Sequence, residues 1–417
     1  MTGVRLPRNA SGGRQLAAFA LLLAWLEAGC AAALMHFVPL PWHAALWQAA
    51  VCVLASPPLL LLVIKVLSSV KAIQRLPRAV SAVFWVLLDL SQVALPWLGW
   101  SVLIALMNAG RVSYLGAVWA ATPVAVFSYL TGFAIVLAFR PKPSDVQIAY
   151  HDVPVPGLPP AFDGYRILHL SDIHAGGVIS LEATADRLRP AASLDPDLIA
   201  VTGDFASGMP GRIAGVAALL GGLSARDGVV AVLGNHDHWM GEERVIDALS
   251  TAGVRLLLNG SLALQRDGET LYLVGVEDAS YTKSDDLSAA LRGVPDDVPL
   301  ILLSHSPEIM EQPLSARASL ILAGHTHGGQ VALPFLGPPI TLSRVPRAWA
   351  SGRTELPSQP GLPAQRTLIV SRGIGMERGF APRLRFLCPP EVVVIELLPL
   401  DAAASTEHAM LDPERRE

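Results

Sequence analysis

Cysteine is almost absent from this chain, which has only Cys30, Cys52 and Cys388 among its 417 residues. The first two fall within strongly apolar stretches and the third stands alone in the second half. No structural disulfide is therefore predicted, and a reducing compartment fits. No cysteine accompanies the histidine clusters described below, which argues against a thiolate-ligated zinc site. Any metal bound there is predicted to have oxygen and nitrogen ligands.

Charged residues are also scarce, at 16% of the chain, and they are unevenly distributed. Up to residue 146 there are 10 Lys and Arg against 3 Asp and Glu, whereas the remainder has 21 against 32, a net charge of −11. An acidic domain is a poor electrostatic match for a nucleic-acid backbone. The second part of the chain is therefore not predicted to bind nucleic acid, and a polynucleotide nuclease is disfavoured.

Apolar residues are concentrated in the first third of the chain, and the mean hydropathy of the whole sequence is +0.45. Four stretches, residues 15–37, 44–66, 79–107 and 112–139, are long enough to cross the bilayer, which takes about 20 residues in a helix. Residues 1–140 are therefore predicted to be an all-α transmembrane region of four helices. Within it, Glu27 and Asp89 are predicted to face the bundle, where they make interhelical hydrogen bonds or line a polar path.

Basic residues determine the predicted orientation of these helices. Nine Lys and Arg lie in the N-terminal tail, the second loop and the segment after the fourth helix, whereas the first and third loops together have only Arg111. Loops rich in Lys and Arg remain in the cytoplasm. The second part of the chain is therefore predicted to face the cytoplasm.

That second part contains five short polar clusters, each after an apolar run that is typical of a buried strand. The runs cover residues 165–170, 197–201, 229–233, 300–303 and 320–322. The clusters that follow them are Asp172-Ile173-His174, Gly203-Asp204, Gly234-Asn235-His236-Asp237, His305, and Gly324-His325-Thr326-His327. In layered α/β proteins, the loops at the carboxyl ends of parallel strands build the site. The five clusters are therefore predicted to meet in one pocket.

The residue types in these clusters suit a pair of divalent metal ions. Two cations about 3.5–4 Å apart can clamp a phosphate and activate a water molecule as the nucleophile. A carboxylate between them offsets their repulsion, and Asp204 is the predicted bridge because Gly203 lets the backbone approach closely. Imidazole, carboxylate and amide ligands accept Mn, Fe or Zn, so two ions of this kind are the predicted cofactors.

The five blocks resemble the calcineurin-like metallophosphoesterases, whose pattern is D-x-H, G-D, G-N-H-[DE], H and G-H-x-H in this order. The resemblance implies an α/β fold, a four-layer α/β/β/α sandwich of two sheets flanked by helices. It also implies that one metal ion is bound by Asp172, His174, Asp204 and His327. The other would be bound by Asp204, Asn235, His305 and His325. The resemblance implies two catalytic residues, the bridging Asp204 and His236. Of these, His236 does not bind metal.

One position departs from the family pattern. Many members have a second Asp three residues after the bridging one, where it orients the catalytic histidine, but this chain has Ser207. Asp237 is the nearest alternative partner of His236 along the sequence. The sequence leaves the orienting partner of His236 open.

Two further segments, Gly328-Gly329-Gln330 and Ser371-Arg372-Gly373-Ile374-Gly375, resemble a membrane-attached bacterial branch of this family. Some enzymes of that branch cleave UDP-2,3-diacylglucosamine in lipid A synthesis. The resemblance therefore implies hydrolysis of a phosphodiester or pyrophosphate bond in a phosphorylated amphiphilic substrate, in contact with lipid at a bacterial inner membrane. The alternatives are a broad-specificity phosphodiesterase or phospholipid phosphatase, and a non-catalytic membrane nucleotide sensor.

The remaining segments complete the predicted domain organisation. Residues 141–164 include six prolines and are predicted to be a semi-rigid linker. Residues 165–399 are predicted to be the catalytic domain and residues 400–417 a charged, disordered tail. The Pro-rich stretch 333–363 is predicted to be either an excursion packed on the sandwich or a lid for acyl chains. Arg344, Arg347 and His238 are candidate substrate-binding residues.

Overall fold

The computed structural model describes residues 145–400, except residues 178, 208–209, 333–335, 339–340, 342, 358–362 and 378–384. The four predicted transmembrane helices, with Glu27 and Asp89, lie outside the described residues, as does the predicted charged tail from residue 401 onward. Among the helices of the described part, none has both the length and the apolar character needed to cross a membrane.

Six strands form the first sheet. They are β1 (Gln147–Val155), β2 (Arg166–Leu170), β3 (Leu198–Thr202), β4 (Val229–Val232), β5 (Arg255–Leu256) and β12 (Glu391–Pro399). Their order is β1-β12-β2-β3-β4-β5. Strands β2 to β5 run parallel to one another, and β12 runs antiparallel to β2. The carboxyl ends of β2, β3 and β4 therefore lie at one edge of the sheet.

Six further strands form the second sheet. They are β6 (Gly260–Arg266), β7 (Glu269–Gly275), β8 (Leu300–Leu303), β9 (Leu320–Ala323), β10 (Gly352–Leu356) and β11 (Arg366–Val370). Their order is β10-β11-β9-β8-β7-β6. The four central strands are parallel, and β6 and β10 pair antiparallel at the two sides.

The helices cover the outer faces of the two sheets. They are α1 (Leu181–Leu188), α2 (Ile213–Gly221), α3 (Asn235–Thr251) and α4 (Leu287–Ala290), with short 3-10 turns elsewhere. Helices α1 to α3 connect the parallel strands of the first sheet, and Leu220 and Leu249 pack with β2 and β3 on its outer face. Helix α4 packs on the outer face of the second sheet.

The inner faces of the two sheets pack on each other. Ile167 and Ala200 of the first sheet share one buried cluster with Ile301, Leu320 and Ile369 of the second. Because side chains alternate along a strand, the neighbouring residues point to the helical layers and are buried as well. This accounts for the continuous apolar runs, and it gives the predicted α/β/β/α sandwich.

The prediction that residues 141–164 form a linker is wrong over most of its length. Strand β1 pairs with β12 from Gln147, opposite Glu391, to Val155, opposite Pro399. Val155 and Phe162 are buried in the core between the sheets. Proline is tolerated in an edge strand because a missing N–H on the open side removes no ladder bond. The prolines therefore concealed a strand, and the described sandwich includes β1 from residue 147.

The structure favours packing over a lid for the later part of the 333–363 stretch. Ser343 and Val345 are buried, and the buried Glu308 carboxylate accepts hydrogen bonds from Ser343 Oγ and Arg344 N, each at 2.8 Å. Residues 352–356 are strand β10. Leu336 is exposed, and residues 333–335, 339–340, 342 and 358–362 lie outside the described residues.

Candidate metal centre

The five polar clusters meet where the two sheets face each other. Three of them follow β2, β3 and β4 of the first sheet, and two follow β8 and β9 of the second. Because all five strands present their carboxyl ends at the same edge, residues more than 150 positions apart in the sequence come into contact. The structure brings together all seven side chains that the sequence predicted to bind metal, which are Asp172, His174, Asp204, Asn235, His305, His325 and His327.

Five of these seven residues have a left-handed backbone. Their φ angles are 48° at Asp172, 43° at His174, 58° at Asp204, 69° at His325 and 51° at His327. A positive φ is uncommon outside glycine and costs of order 1–3 kcal/mol per residue. Such conformations persist only where the surrounding structure fixes them. Their concentration at one place indicates that side-chain geometry is maintained here against the preference of the backbone.

Two glycines make the close approach of the loops possible. Gly203 has a φ of +82°, and a Cβ there would lie 2.5 Å from the backbone nitrogen of Gly234. A Cβ at Gly324 would overlap Ser171 Oγ and Asp172 Oδ2. The loops after β3 and β4, and those after β9 and β2, therefore touch at positions that accommodate no side chain.

The first group of candidate ligands surrounds Asp172. His327 Nε2 lies 3.4 Å from Asp172 Oδ1 and 3.0 Å from His174 Nε2. His174 Nε2 lies 3.8 Å from the same Asp172 oxygen and 3.4 Å from Asp204 Oδ2. Carboxylate oxygens and imidazole nitrogens thus converge on one small volume, as a divalent transition metal requires.

The second group surrounds His305. His305 Nε2 lies 3.1 Å from Asn235 Oδ1 and 3.2 Å from His325 Nδ1. It also lies 3.3 Å from Asp204 Oδ2. A single carboxylate oxygen, Asp204 Oδ2, therefore stands between the two groups, which is the position a bridging ligand occupies.

Hydrogen bonds behind the two groups fix the histidine rings. His305 Nδ1 lies 2.7 Å from the carbonyl oxygen of Thr202, which can only accept, so Nδ1 donates and Nε2 is the nitrogen directed to the centre. His174 Nδ1 lies 2.5 Å from Ser207 Oγ. Such partners orient metal-binding imidazoles. Ser207, which stands where the resemblance implies an aspartate, thus contacts His174.

Charge in the centre couples the carboxylates to the histidines: burial opposes protonation of His305, but Asp204 outweighs it and raises the pKa of that ring well above its usual range. Burial opposes ionisation of Asp172 and Asp204, but the surrounding histidines outweigh it and hold the pKa of both carboxyls below their usual range. Burial lowers the pKa of His327 to about 3, so its ring is neutral. Ionised carboxylates and neutral imidazoles are the species that coordinate cations. The donor set therefore fits two divalent ions, whose binding would release the proton from the His305 ring.

His236 stands beside the centre at the start of α3, with 16% of its side chain exposed. Its Nε2 lies 3.7 Å from Glu377 Oε1, and its ring meets the His174 ring edge-on at 4.7 Å between centroids. Burial alone would lower the pKa of His236, but the carboxylates of Asp204 and Glu377 outweigh it and raise that pKa to about 9. These carboxylates therefore favour the protonated form of His236, which can donate a proton.

Asp237, the nearest partner for His236 along the sequence, has a different task in the structure. Its buried carboxylate accepts hydrogen bonds from the backbone N–H groups of Asp204 at 2.7 Å, Phe205 at 3.0 Å and Gly234 at 2.8 Å. These bonds join the loop after β3 to the start of α3. Asp237 therefore holds the backbone of the site, and Glu377 is the carboxylate that faces His236.

The three candidate substrate-binding residues are not among the seven grouped side chains. His238 Nδ1 lies 2.9 Å from Glu242 Oε2, in a separate group with Glu277. The Arg344 guanidinium makes two contacts of 3.2 Å with Glu311, and Arg347 is exposed in a 3-10 turn. His169, interpreted as a core histidine, is buried with its Nε2 2.9 Å from Thr202 Oγ1.

Sequence reasoning missed two charged residues of the site, Glu377 and Arg385. The buried Arg385 guanidinium donates to the carbonyl oxygens of Arg372 and Gly375, at 2.7 and 2.6 Å, and its Nη2 lies 3.4 Å from His327 Nδ1. Both residues lie in the segment after β11, more than 130 residues from His236. No spacing rule links them to the motifs, although the glycines after Ser371 mark a backbone that packs closely on Asp172.

Comparison with known proteins agrees with this geometry. The calcineurin-like phosphoesterase profile matches residues 165–329. The chain is 32% identical over 260 residues to a protein of Bacillus subtilis called uncharacterized metallophosphoesterase YkuE, covering 61% of this chain and 87% of that one. It is 29% identical over 242 residues to phosphodiesterase YaeI of Escherichia coli, covering 56% and 82%.

A third relative is longer. A protein of Danio rerio called transmembrane protein with metallophosphoesterase domain is 32% identical over 219 residues, and the match covers 49% of this chain and 49% of that one. The chain thus spans about half the length of this relative.

Proposed function

This chain belongs to the calcineurin-like metallophosphoesterases, which are metal-dependent hydrolases of phosphoesters, and we propose that it cleaves a phosphodiester or pyrophosphate bond with two divalent ions bound by the seven grouped residues. The observation that supports this proposal is the position of Asp204 Oδ2. It lies 3.4 Å from His174 Nε2 and 3.3 Å from His305 Nε2, between the two ligand groups. Mn, Fe and Zn all suit this donor set.

The residues divide the work of the reaction. When bound, two divalent ions would stabilise charge on the phosphoryl oxygens and lower the pKa of a water molecule. One ion would be held by Asp172, His174 and His327, and the other by Asn235, His305 and His325. Asp204 would contribute to both sites. His236, protonated and partly exposed at the edge of the centre, would donate a ring proton to the leaving oxygen. Glu377 would keep that ring charged and in place.

We propose an amphiphilic substrate, with UDP-2,3-diacylglucosamine as the leading candidate. The sequence supports this through four predicted transmembrane helices, and the Danio rerio relative is itself called a transmembrane protein. The proposed location is a bacterial inner membrane with the catalytic domain in the cytoplasm, where a nucleotide-linked lipid is within reach. The metal ions would make the pocket locally positive in an otherwise acidic domain.

A broad-specificity phosphodiesterase or a phospholipid phosphatase is the second candidate. The same seven residues would serve either reaction, and the Escherichia coli relative is called a phosphodiesterase. A non-catalytic nucleotide sensor is disfavoured because such proteins usually lose ligands, whereas all seven predicted ligand residues are retained in this chain.

The test is hydrolysis of UDP-2,3-diacylglucosamine by the full-length protein purified in detergent with Mn²⁺. Bis(p-nitrophenyl) phosphate is assayed in parallel, and Asp204→Asn is the control. We expect wild type to release UMP and Asp204→Asn to release none. Cleavage of bis(p-nitrophenyl) phosphate without UMP release would support the broad phosphodiesterase. Absence of hydrolysis of both compounds by metal-loaded wild type would refute the proposed function.

A further inference from the structure

Two exposed aromatic side chains contact each other beside the catalytic histidine. Trp239 is 53% exposed and Tyr281 is 66% exposed. Their rings are 4.9 Å apart between centroids and meet at 88°, so they form an open right-angled corner. Exposed aromatic surface is unfavourable in water, and a pair of such residues next to a catalytic site is typical of a ligand-binding surface.

This aromatic corner is continuous with the metal centre. The Trp239 ring packs against the His236 ring, with 4.5 Å between centroids. The His236 ring in turn lies 4.7 Å from the His174 ring. A row of rings therefore runs from a candidate metal ligand, through the proton donor, to solvent. A group that leaves with the proton from His236 would emerge over Trp239 and Tyr281.

The turn that presents Tyr281 is fixed from within. The buried Asp278 carboxylate accepts hydrogen bonds from the backbone N–H groups of Ser280 at 3.0 Å, Tyr281 at 2.8 Å and Thr282 at 2.9 Å. Because its backbone is held in this way, Tyr281 presents its ring at low entropic cost on binding.

Asn259 closes the loop that contains this turn. Its side-chain oxygen accepts from Glu277 N at 3.1 Å and its amide nitrogen donates to the Ser284 carbonyl at 2.9 Å, so both ends of the loop are tied to one residue. Trp239 lies at the start of α3, four residues after the candidate ligand Asn235 and two before Gly241, where the helix is kinked. Both rings are thus mounted on backbone that the rest of the domain positions.

We propose that Trp239 and Tyr281 bind a planar, uncharged ring of the substrate, a nucleobase, on the leaving-group side of the phosphorus atom. This inference rests on the proposed phosphoesterase function and specifies the substrate as a nucleotide derivative. The two perpendicular faces allow the base to stack on one ring while its edge meets the other. Stacking of this kind accepts any base, because every base has a π-face.

The charges around the aromatic corner disfavour the other use of exposed Trp and Tyr, which is anchoring at a membrane surface. Glu242 lies three residues after Trp239, beyond the kink at Gly241 in α3, and Glu277 precedes the turn that carries Tyr281. Their carboxylates lie together in the group with His238. Anionic lipid headgroups would be repelled by this pair. An uncharged base has no such conflict.

The test is calorimetric titration of the full-length, Mn²⁺-loaded protein in detergent with two probes, UMP and ribose 5-phosphate. They share a sugar phosphate and differ by the base. Wild type should bind UMP more tightly than ribose 5-phosphate by roughly 5- to 150-fold, the range for stacking a base on an aromatic side chain. Trp239→Ala and Tyr281→Ala should each reduce this ratio at least several-fold. Tyr281→Ala is decisive because Tyr281 does not contact His236 in the ring pairs observed.

The matched control is Tyr150→Ala, which removes a tyrosine of similar exposure, 65%, from β1 and should leave the ratio unchanged. Equal wild-type affinity for the two probes would overturn the proposal, as would a ratio that survives both substitutions. A result in which Trp239→Ala and Tyr281→Ala lose binding to phosphatidylglycerol vesicles, while they keep the wild-type ratio of affinities for UMP and ribose 5-phosphate, would also overturn the proposal. That result would make the aromatic corner a membrane-binding surface. Wild-type hydrolysis of ethyl p-nitrophenyl phosphate, which has no base, reports on the proposed function separately.

Discussion

The contact between Glu377 and His236 makes a quantitative prediction for Glu377→Gln. This substitution keeps the size of the side chain and removes its negative charge, 3.7 Å from His236 Nε2. If His236 donates a proton, activity is lost as pH rises through its pKa. That pKa is raised to about 9, by Asp204 and then Glu377 against the opposing effect of burial, and bound cations would lower it, so the wild-type alkaline limb should lie at or below that value.

The size of the effect follows from the geometry. A rise of the His236 pKa from 6.5 to about 9 corresponds to about 3 kcal/mol of preference for the charged ring. Two unit charges 3.7 Å apart interact by roughly 4 kcal/mol at an effective dielectric constant of 20, and partial exposure of both side chains reduces this. Asp204 provides the other favourable interaction. We therefore expect Glu377→Gln to lower the pKa of His236 by roughly 1–2 units.

The assay is the pH profile of kcat/KM for bis(p-nitrophenyl) phosphate between pH 5.5 and 10, at saturating Mn²⁺. Near pH 6 both proteins keep His236 protonated, so their kcat/KM values should agree within a few-fold. At pH 8.5 the variant should be roughly tenfold less active. Glu396→Gln is the matched control. Glu396 lies on β12, away from the metal centre, and forms an ion pair with Arg166 of β2.

Two results would contradict this reasoning. An alkaline limb at the same pH in wild type and Glu377→Gln would show that Glu377 does not influence the proton donor. A uniform loss of activity at every pH would assign Glu377 a structural role only, because it leaves the titration of His236 unchanged.

Three further substitutions test other parts of the account. Asp237→Ala leaves three backbone N–H groups without their acceptor and should lower the free energy of unfolding, measured by urea titration, by about 3 kcal/mol or more. The control is Asp247→Ala, at an exposed position of the same helix, which should change this free energy by less than about 0.5 kcal/mol. Gly324→Ala places a methyl group against Ser171 and Asp172 and should reduce the metal content measured by mass spectrometry; a variant with full metal content would show that the loops can separate. Arg344→Ala breaks a partly exposed ion pair with Glu311 and should lower stability by no more than about 1 kcal/mol and change KM less than twofold; a tenfold rise in KM would instead make Arg344 a substrate contact.

The sequence predicted the strands that carry the site because each is buried on both faces. β4, β8 and β9 are continuous runs of Val, Ile, Leu and Ala, β2 and β3 depart from this only at Arg166, His169 and Thr202, and the polar residues directly after the strands mark their carboxyl ends. The pattern of apolar residues gave the weakest indication of a strand in β1, where Pro154 and Pro156 suggested an extended spacer instead. Its place beside β12 depends on a pairing across more than 230 residues, which composition does not reveal.

Within the site, the motifs predicted which residues group together but not which charged residues contact the histidines of that group and His236. Glu377 and Arg385 reach His236 and His327 only through the fold of the segment after β11, and no local pattern distinguishes them from ordinary surface charges. Asp237 shows the converse. Its adjacency to His236 suggested a partner, but consecutive residues at the start of a helix point in different directions, so its carboxylate faces the backbone instead.

The measurement that tests the central claim most directly is the metal content and activity of Asp204→Asn beside His236→Ala, both as full-length protein loaded with Mn²⁺. Wild type should bind two ions per chain. Asp204→Asn should lose two-ion binding and hydrolysis of bis(p-nitrophenyl) phosphate together, because one oxygen of Asp204 serves both ligand groups. His236→Ala should keep two ions and lose kcat. Equal loss of metal in the two variants, or two ions retained by Asp204→Asn, would contradict the bridging role of Asp204.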